Sequence, residues 1–164
     1  MNSKTDEPRP PAAAFSSVAL DRCPDPDYVD LYAMTLPDSA PDDPAWWARR
    51  AFTAAGLPVW ARVALGLRQV LVPLIGVRPS PRDTMAVDEV VGNEALITAS
   101  ERHLDFWCAI GIDPAARLVR VTTVVRLHGW RGRAYWSVVR LAHPIVTTAI
   151  MRRLLERAGS TPRP

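Results

Sequence analysis

The stretch HLDFWCAIGIDPAARLVRVTTVVRLH, His103 to His128, decides how this chain folds. It holds two runs rich in Val, Ile, Thr and aromatic residues, parted by Asp113-Pro114-Ala115-Ala116. Two β-prone runs around a proline-bearing turn spell an antiparallel hairpin. A tight turn centred on Pro114 and Ala115 sets Asp105 opposite Val124, His103 opposite Arg126, Glu101 opposite His128 and Trp107 opposite Thr122. The other face pairs Leu104 with Val125, Phe106 with Thr123, Cys108 with Val121 and Ile110 with Val119. A slip of one residue would mix the two sets, so the parity is well specified. One face is apolar and suits a covering helix. The other carries Glu101, His103, Asp105, Trp107, Arg126 and His128.

Working outward, Met85–Val91 and Ala95–Ser100 add two more strands before the hairpin, with Gly92-Asn93 as their turn. After it, Gly129–Gly132 ends the last strand and Arg133–Arg157 reads as one long helix. Its apolar stripe is wide: Tyr135, Val138, Val139, Ala142, Ile145, Val146, Ala149, Ile150 and Leu154. Pro144 lies inside this helix and should kink it. Upstream, Tyr28–Leu36 reads as a first strand, with Val29, Leu31, Ala33 and the polar Asp30 and Thr35 in rough alternation. Asp43 then caps a short helix over Ala45–Ala55 that opens on Pro44 and stops at Gly56. Pro58–Val72 is a second helix, with Val59, Val63, Leu67, Val70 and Leu71 on one side. The order is strand, two helices, four strands, long helix. That is an α+β fold, an antiparallel sheet gripping a long C-terminal helix, with two shorter helices after the first strand.

Composition agrees with one domain. Of 164 residues 48% are hydrophobic and 23% charged, which is globular rather than disordered. Two cysteines rule out a disulfide scaffold, and no charge-free apolar run is long enough to cross a bilayer. Residues 1–27, with five prolines and several acids, read as a disordered arm; residues 28–158 are the domain and 159–164 a flexible tail. Charge is lopsided. Residues 1–45 hold three basic and nine acidic groups, residues 46–164 hold 17 basic and eight acidic ones. The arginines are not interleaved with aromatics on one evident face, so nucleic acid is not the expected partner. Cys23 and Cys108 follow no metal or redox spacing, and no signal peptide opens the chain, so a reduced, cytoplasmic setting is expected.

The polar face of the hairpin is the candidate site. A histidine beside a carboxylate is the smallest acid–base pair, which singles out His103 and Asp105, with Tyr135 as a further proton carrier. Arg126 suits an anionic oxygen. Trp107, His128, Val139 and Ile150 are the candidate ligand contacts. The competing reading is a cross-strand ion-pair ladder facing solvent. No metal is expected, because Arg126 beside the two histidines repels a cation. No cofactor motif is present: Gly129-Trp130-Arg131-Gly132 lacks both the P-loop lysine and the dinucleotide spacing. His143-Pro144 reads as a helix-kink pair. Of Trp46 and Trp47, one belongs to the core and one lines a surface.

The residues Arg102–Phe106, Val121–His128 and Gly132–Tyr135, taken as a set, resemble an uncharacterised bacterial family, domain of unknown function 2867. The resemblance spans Tyr28 to Ala158 and implies a START-like (Bet v 1-like, helix-grip) fold. It brings no catalytic residues with it. What it implies is a cavity between sheet and helix for a hydrophobic or amphipathic small molecule. It further implies a separate reductase-like or biosynthetic enzyme as partner. The resemblance leads to two expectations, a small-molecule binder and a cofactor-free cyclase, dehydratase or isomerase; the Arg-rich C-terminal helix, with Arg152, Arg153 and Arg157, leads to a third, a protein- or membrane-surface module.

Overall fold

The computed structural model describes residues 15–53 and 86–159. Its strands are β1 Tyr28–Thr35, β2 Glu89–Val91, β3 Glu94–Ser100, β4 Leu104–Asp113 and β5 Leu118–Leu127. They form one antiparallel sheet in the order β1-β5-β4-β3-β2. The helices among the described residues are α1 Val18–Arg22, α2 Pro44–Ala51 and α3 Gly129–Gly159. The protein is α+β, as expected, with a long C-terminal helix and one short helix after β1. The second short helix, Pro58–Val72, lies outside the described residues.

The hairpin register differs from the expected one by two residues. Asp105 pairs with Arg126, Trp107 with Val124 and Asp113 with Leu118. The connection therefore spans the four residues Pro114–Arg117. Arg117 takes a left-handed φ of 52°, and Asp113 Oδ1 accepts the Ala116 amide at 2.9 Å. An Asx-type bond stabilises this longer turn. Because side chains alternate with period two, a two-residue shift leaves each on its expected face.

The inner face holds the main core. Ala95, Ile97, Cys108, Ile110, Ile112, Val119 and Val121 meet Trp47, Ala48 and Ala51 of α2 and Met151, Leu154 and Ala158 of α3. Each large aliphatic buried there contributes roughly 1.5–3 kcal/mol. α2 starts as its sequence dictates: Asp43 accepts the Ala45 amide at 2.9 Å and Pro44 fills the first turn. Trp47 is buried and its indole donates to the Pro41 carbonyl at 2.8 Å. Trp46 is half-buried, with the Arg50 guanidinium over its ring.

Two expectations are corrected. On β1 the apolar residues of the alternation are not the inward ones. Val29 and Leu31 are exposed, while Tyr28, Asp30, Tyr32 and Met34 turn inward. Pairing Tyr28 with Val125, Asp30 with Thr123 and Tyr32 with Val121 puts the even residues on the core face. Two tyrosine rings bury more apolar area than Val29 and Leu31 would, and they carry polar tips that find partners. Residues 15–27, read above as part of a disordered arm, lie against the outer face instead. Ala19 and Cys23 pack on Leu96, Ala109 and Val124, with Val18, Leu20 and Trp107 beside them.

The five-residue α1 is too short to stand alone. Ser17 at its start makes no cap bond to it. Glu94 of β3 supplies the cap instead: its Oε2 accepts the Val18 amide at 2.7 Å and the Ser17 hydroxyl at 3.0 Å. Arg120 stands 3.7 Å from its other oxygen. Gly111 leaves room for this carboxylate, since a Cβ there would sit 3.1 Å from it.

α3 begins at Gly129, four residues before the expected start. Gly132 rests on the turn between β3 and β4, where an added Cβ would lie 2.2 Å from the His103 carbonyl oxygen. The helix runs unbroken past Pro144. Proline there has no N–H, so the Arg140 carbonyl loses its helical donor.

Candidate functional site

The two clusters that fix α3 to the sheet are apolar and lie at its two ends. Near the N-terminus, Trp136, Tyr135 and Val139 pack with Leu104, Val125, Phe106 and Tyr28. Near the C-terminus, Met151, Leu154 and Ala158 join the main core. Between them the helix–sheet contact turns polar. β1 offers Asp30 there, β5 offers Thr123, and α3 offers His143 and Thr147.

Asp30 is the centre of this waist. Its Oδ2 accepts the Tyr28 hydroxyl at 2.8 Å and stands 3.1 Å from His143 Nε2. Thr147 Oγ1 is 3.4 Å from the same ring nitrogen. Tyr28 meets Trp136 edge-on at 4.9 Å, and Trp136 lies 5.8 Å from the His143 ring. Burial alone would raise the Asp30 carboxyl. The hydrogen bonds from His143 and Tyr28 outweigh it and hold the group below the ordinary carboxylate range, with support from Thr123. Burial, and after it the Asp30 carboxylate through its hydrogen bonds and its charge, pushes the Tyr28 and Tyr32 phenols up. The same two causes push the fully buried Cys108 thiol up to about 12, so this cysteine packs rather than reacts.

Two buried polar atoms beside the His143 ring make no hydrogen bond of good geometry, although Tyr32 and Thr123 also reach toward the Asp30 carboxylate. One is an acceptor, Asp30 Oδ1. The other is a donor, Trp136 Nε1. Trp136 is only 7% exposed. Buried polar groups are nearly always satisfied, by protein or by ordered water.

The residues singled out by sequence are spread over three places. Asp105, Trp107 and Arg126 are on the outer face, as expected. Asp105 accepts the Ser100 hydroxyl at 2.6 Å and pairs with His128 Nε2 at 2.8 Å. Arg126 reaches the Asp25 carbonyl at 3.3 Å. Trp107 borders a depression of about 330 Å³, with Arg22, Asp88, Glu89, Leu96 and Thr98. Tyr135, Val139 and Ile150 are on the inner side, in the clusters that fix α3.

His103 is in neither set. It lies in the turn before β4 and is buried. Its Nδ1 stands 3.2 Å from Glu101 Oε2, and its ring meets Tyr135 edge-on at 4.8 Å. The expected His103–Asp105 pair is therefore not formed: each takes a different partner. The β3–β4 turn closes one residue later than a strand reading assumes, with Glu101 donating its amide to the Leu104 carbonyl at 2.8 Å.

Sequence reasoning missed Asp30, Tyr28, Thr123, Trp136 and Thr147, and gave His143 only a structural part. A signal existed. Tyr28, Asp30 and Tyr32 share one strand parity, and His143 interrupts an apolar helical stripe. Among the described residues no group of three or more His, Cys, Asp and Glu side chains is placed to hold a metal ion. Nor is any described helix long and apolar enough to cross a membrane.

Fold and site together define a domain in which one long helix lies across an antiparallel sheet with a half-buried carboxylate–histidine pair between them. Residues 22–150 match the family described as a protein of unknown function (DUF2867), and the chain belongs to that family. No curated protein and no solved structure matches it.

Proposed function

We propose that this is a START-like domain that binds an amphipathic small molecule between the sheet and α3. The guest's polar end sits at Asp30, His143 and Trp136. The observation that supports the reading is that Asp30 Oδ1 and Trp136 Nε1, each beside the His143 ring, are buried without a hydrogen bond of good geometry. A guest that offers one donor and one acceptor, such as a hydroxy-ketone, answers both. The apolar clusters on either side suit its hydrocarbon part. Pro144 weakens α3 beside His143, so the helix can lift there to admit a guest.

Gently purified protein should carry a bound small molecule in native mass spectrometry. A panel of amphipathic hydroxy-carbonyl compounds should raise its melting temperature. Asp30→Asn should weaken binding about tenfold or more, the cost of one charge-assisted hydrogen bond. Arg126→Gln, on the outer face, should leave it unchanged. A clean apo mass with no thermal shift across the panel overturns the reading, and so does an Asp30→Asn variant that binds as the parent does.

A second reading, cofactor-free proton transfer on the same guest, is favoured by the 3.1 Å contact between His143 and Asp30. Under it, His143→Ala abolishes turnover while binding persists. Binding lost together with turnover removes the separate catalytic step.

A further inference from the structure

α3 turns a second face away from the sheet. On its crest Trp130, Val138, Leu141 and Ile145 are 68, 70, 71 and 62% exposed. Their spacing lines them up along one side of the helix. Arg133 and Arg140 stand exposed on one shoulder of this line, and Arg152 is exposed at its far end. On the other shoulder Arg131 lies over the Trp130 ring at 5.4 Å. The whole helix carries six arginines and one acid, Glu156. Below Ile145, the residues Pro144, Ile145, Thr148, Ala149 and Arg152 line a depression of about 530 Å³. It is an apolar hollow with a guanidinium at its rim.

We propose that this crest docks flat on an anionic lipid surface, with Val138, Leu141 and Ile145 in the acyl boundary and the arginines on the headgroups. An apolar line flanked by arginines, with a tryptophan at one end, is the pattern of an interfacial helix. Charge selects the occupant. A second copy of this chain would bring two arginine shoulders together, which repel. A nucleic acid would meet an aliphatic crest with a single aromatic ring. Acidic headgroups over hydrocarbon answer both halves of the surface. The proposal rests on the outer face of α3 and stands apart from the ligand site on its inner face.

Co-sedimentation of the full chain with vesicles tests it. The protein should bind mixed phosphatidylcholine–phosphatidylserine vesicles, bind phosphatidylcholine alone far less, and release at high salt. Arg133→Gln and Arg140→Gln should each weaken binding about fivefold. Leu141→Ser with Ile145→Ser should abolish it without lowering the melting temperature, since both side chains are exposed. Tryptophan emission should shift to the blue on adding mixed vesicles, and this shift should shrink in Trp130→Phe. The proposal is overturned if mixed vesicles are not bound, or if binding ignores all these substitutions. A concentration-dependent dimer that Leu141→Ser dissolves, with vesicles left unbound, assigns the crest to a second copy instead.

Discussion

Asp30 is a carboxylate placed where hydrocarbon would pack more cheaply. Desolvation opposes its charge, and the bonds from His143 and Tyr28 restore it. The sign of its pH effect follows. Its folded value lies below the ordinary 3.8, so the unfolded chain binds the proton more readily. Its contribution to stability is complete above the ordinary carboxylate range and disappears as pH falls through the depressed value. Asp30→Asn should cost about 1.5–3 kcal/mol at neutral pH. It should also flatten the acid limb of the stability curve, measured by urea melts from neutral pH downward. An acid limb as steep as the parent's would show that this carboxyl is not held down.

At this scale the sequence was only partly legible. The acid–base logic of a histidine beside a carboxylate was sound, but it fell on His103 and Asp105, which are close in sequence. The pair that forms, Asp30 and His143, joins residues from opposite ends of the domain. No local spacing carries that information, because the contact exists only once α3 crosses β1.

At the scale of elements, local chemistry was more readable. Asp43-Pro44 announced α2, Gly92-Asn93 the β2–β3 turn, and Asp113-Pro114 the β4–β5 turn. The hairpin parity was legible although its register was two residues out, since alternation fixes a face while turn length fixes a register. β1 was misread because Val29, Leu31 and Ala33 look like a core row until the tyrosines between them claim the inner side. α1 was invisible for another reason: its cap comes from Glu94, far away in sequence. Glu94→Ala removes the acceptor for the Val18 amide and the Ser17 hydroxyl and should cost about 1–3 kcal/mol. Residues 15–27 should then be cut by protease well before the sheet, whereas Glu94→Gln, which keeps an acceptor, should protect them better. Equal cutting in parent and Glu94→Ala would mean that packing alone holds α1.

Across the whole molecule, the class of fold followed from the order of patterns: one strand, two short helices, a meander, a long helix. What that order could not convey is that both faces of the sheet are covered. The inner face takes α2 and α3, and the outer face takes α1 from the start of the described chain. Residues 22–150 carry the family likeness, yet α1 precedes them almost entirely, and Met151, Leu154 and Ala158 follow them. A chain shortened to those limits would uncover Leu96, Ala109 and Val124 on one side and open the α2–α3 core on the other. Its thermal transition should broaden or vanish, and it should bind a dye for exposed apolar surface, while the full chain melts in one step. The borders of a family likeness and the borders of a cooperative folding unit are different lines on this molecule, and the second encloses the first at both ends.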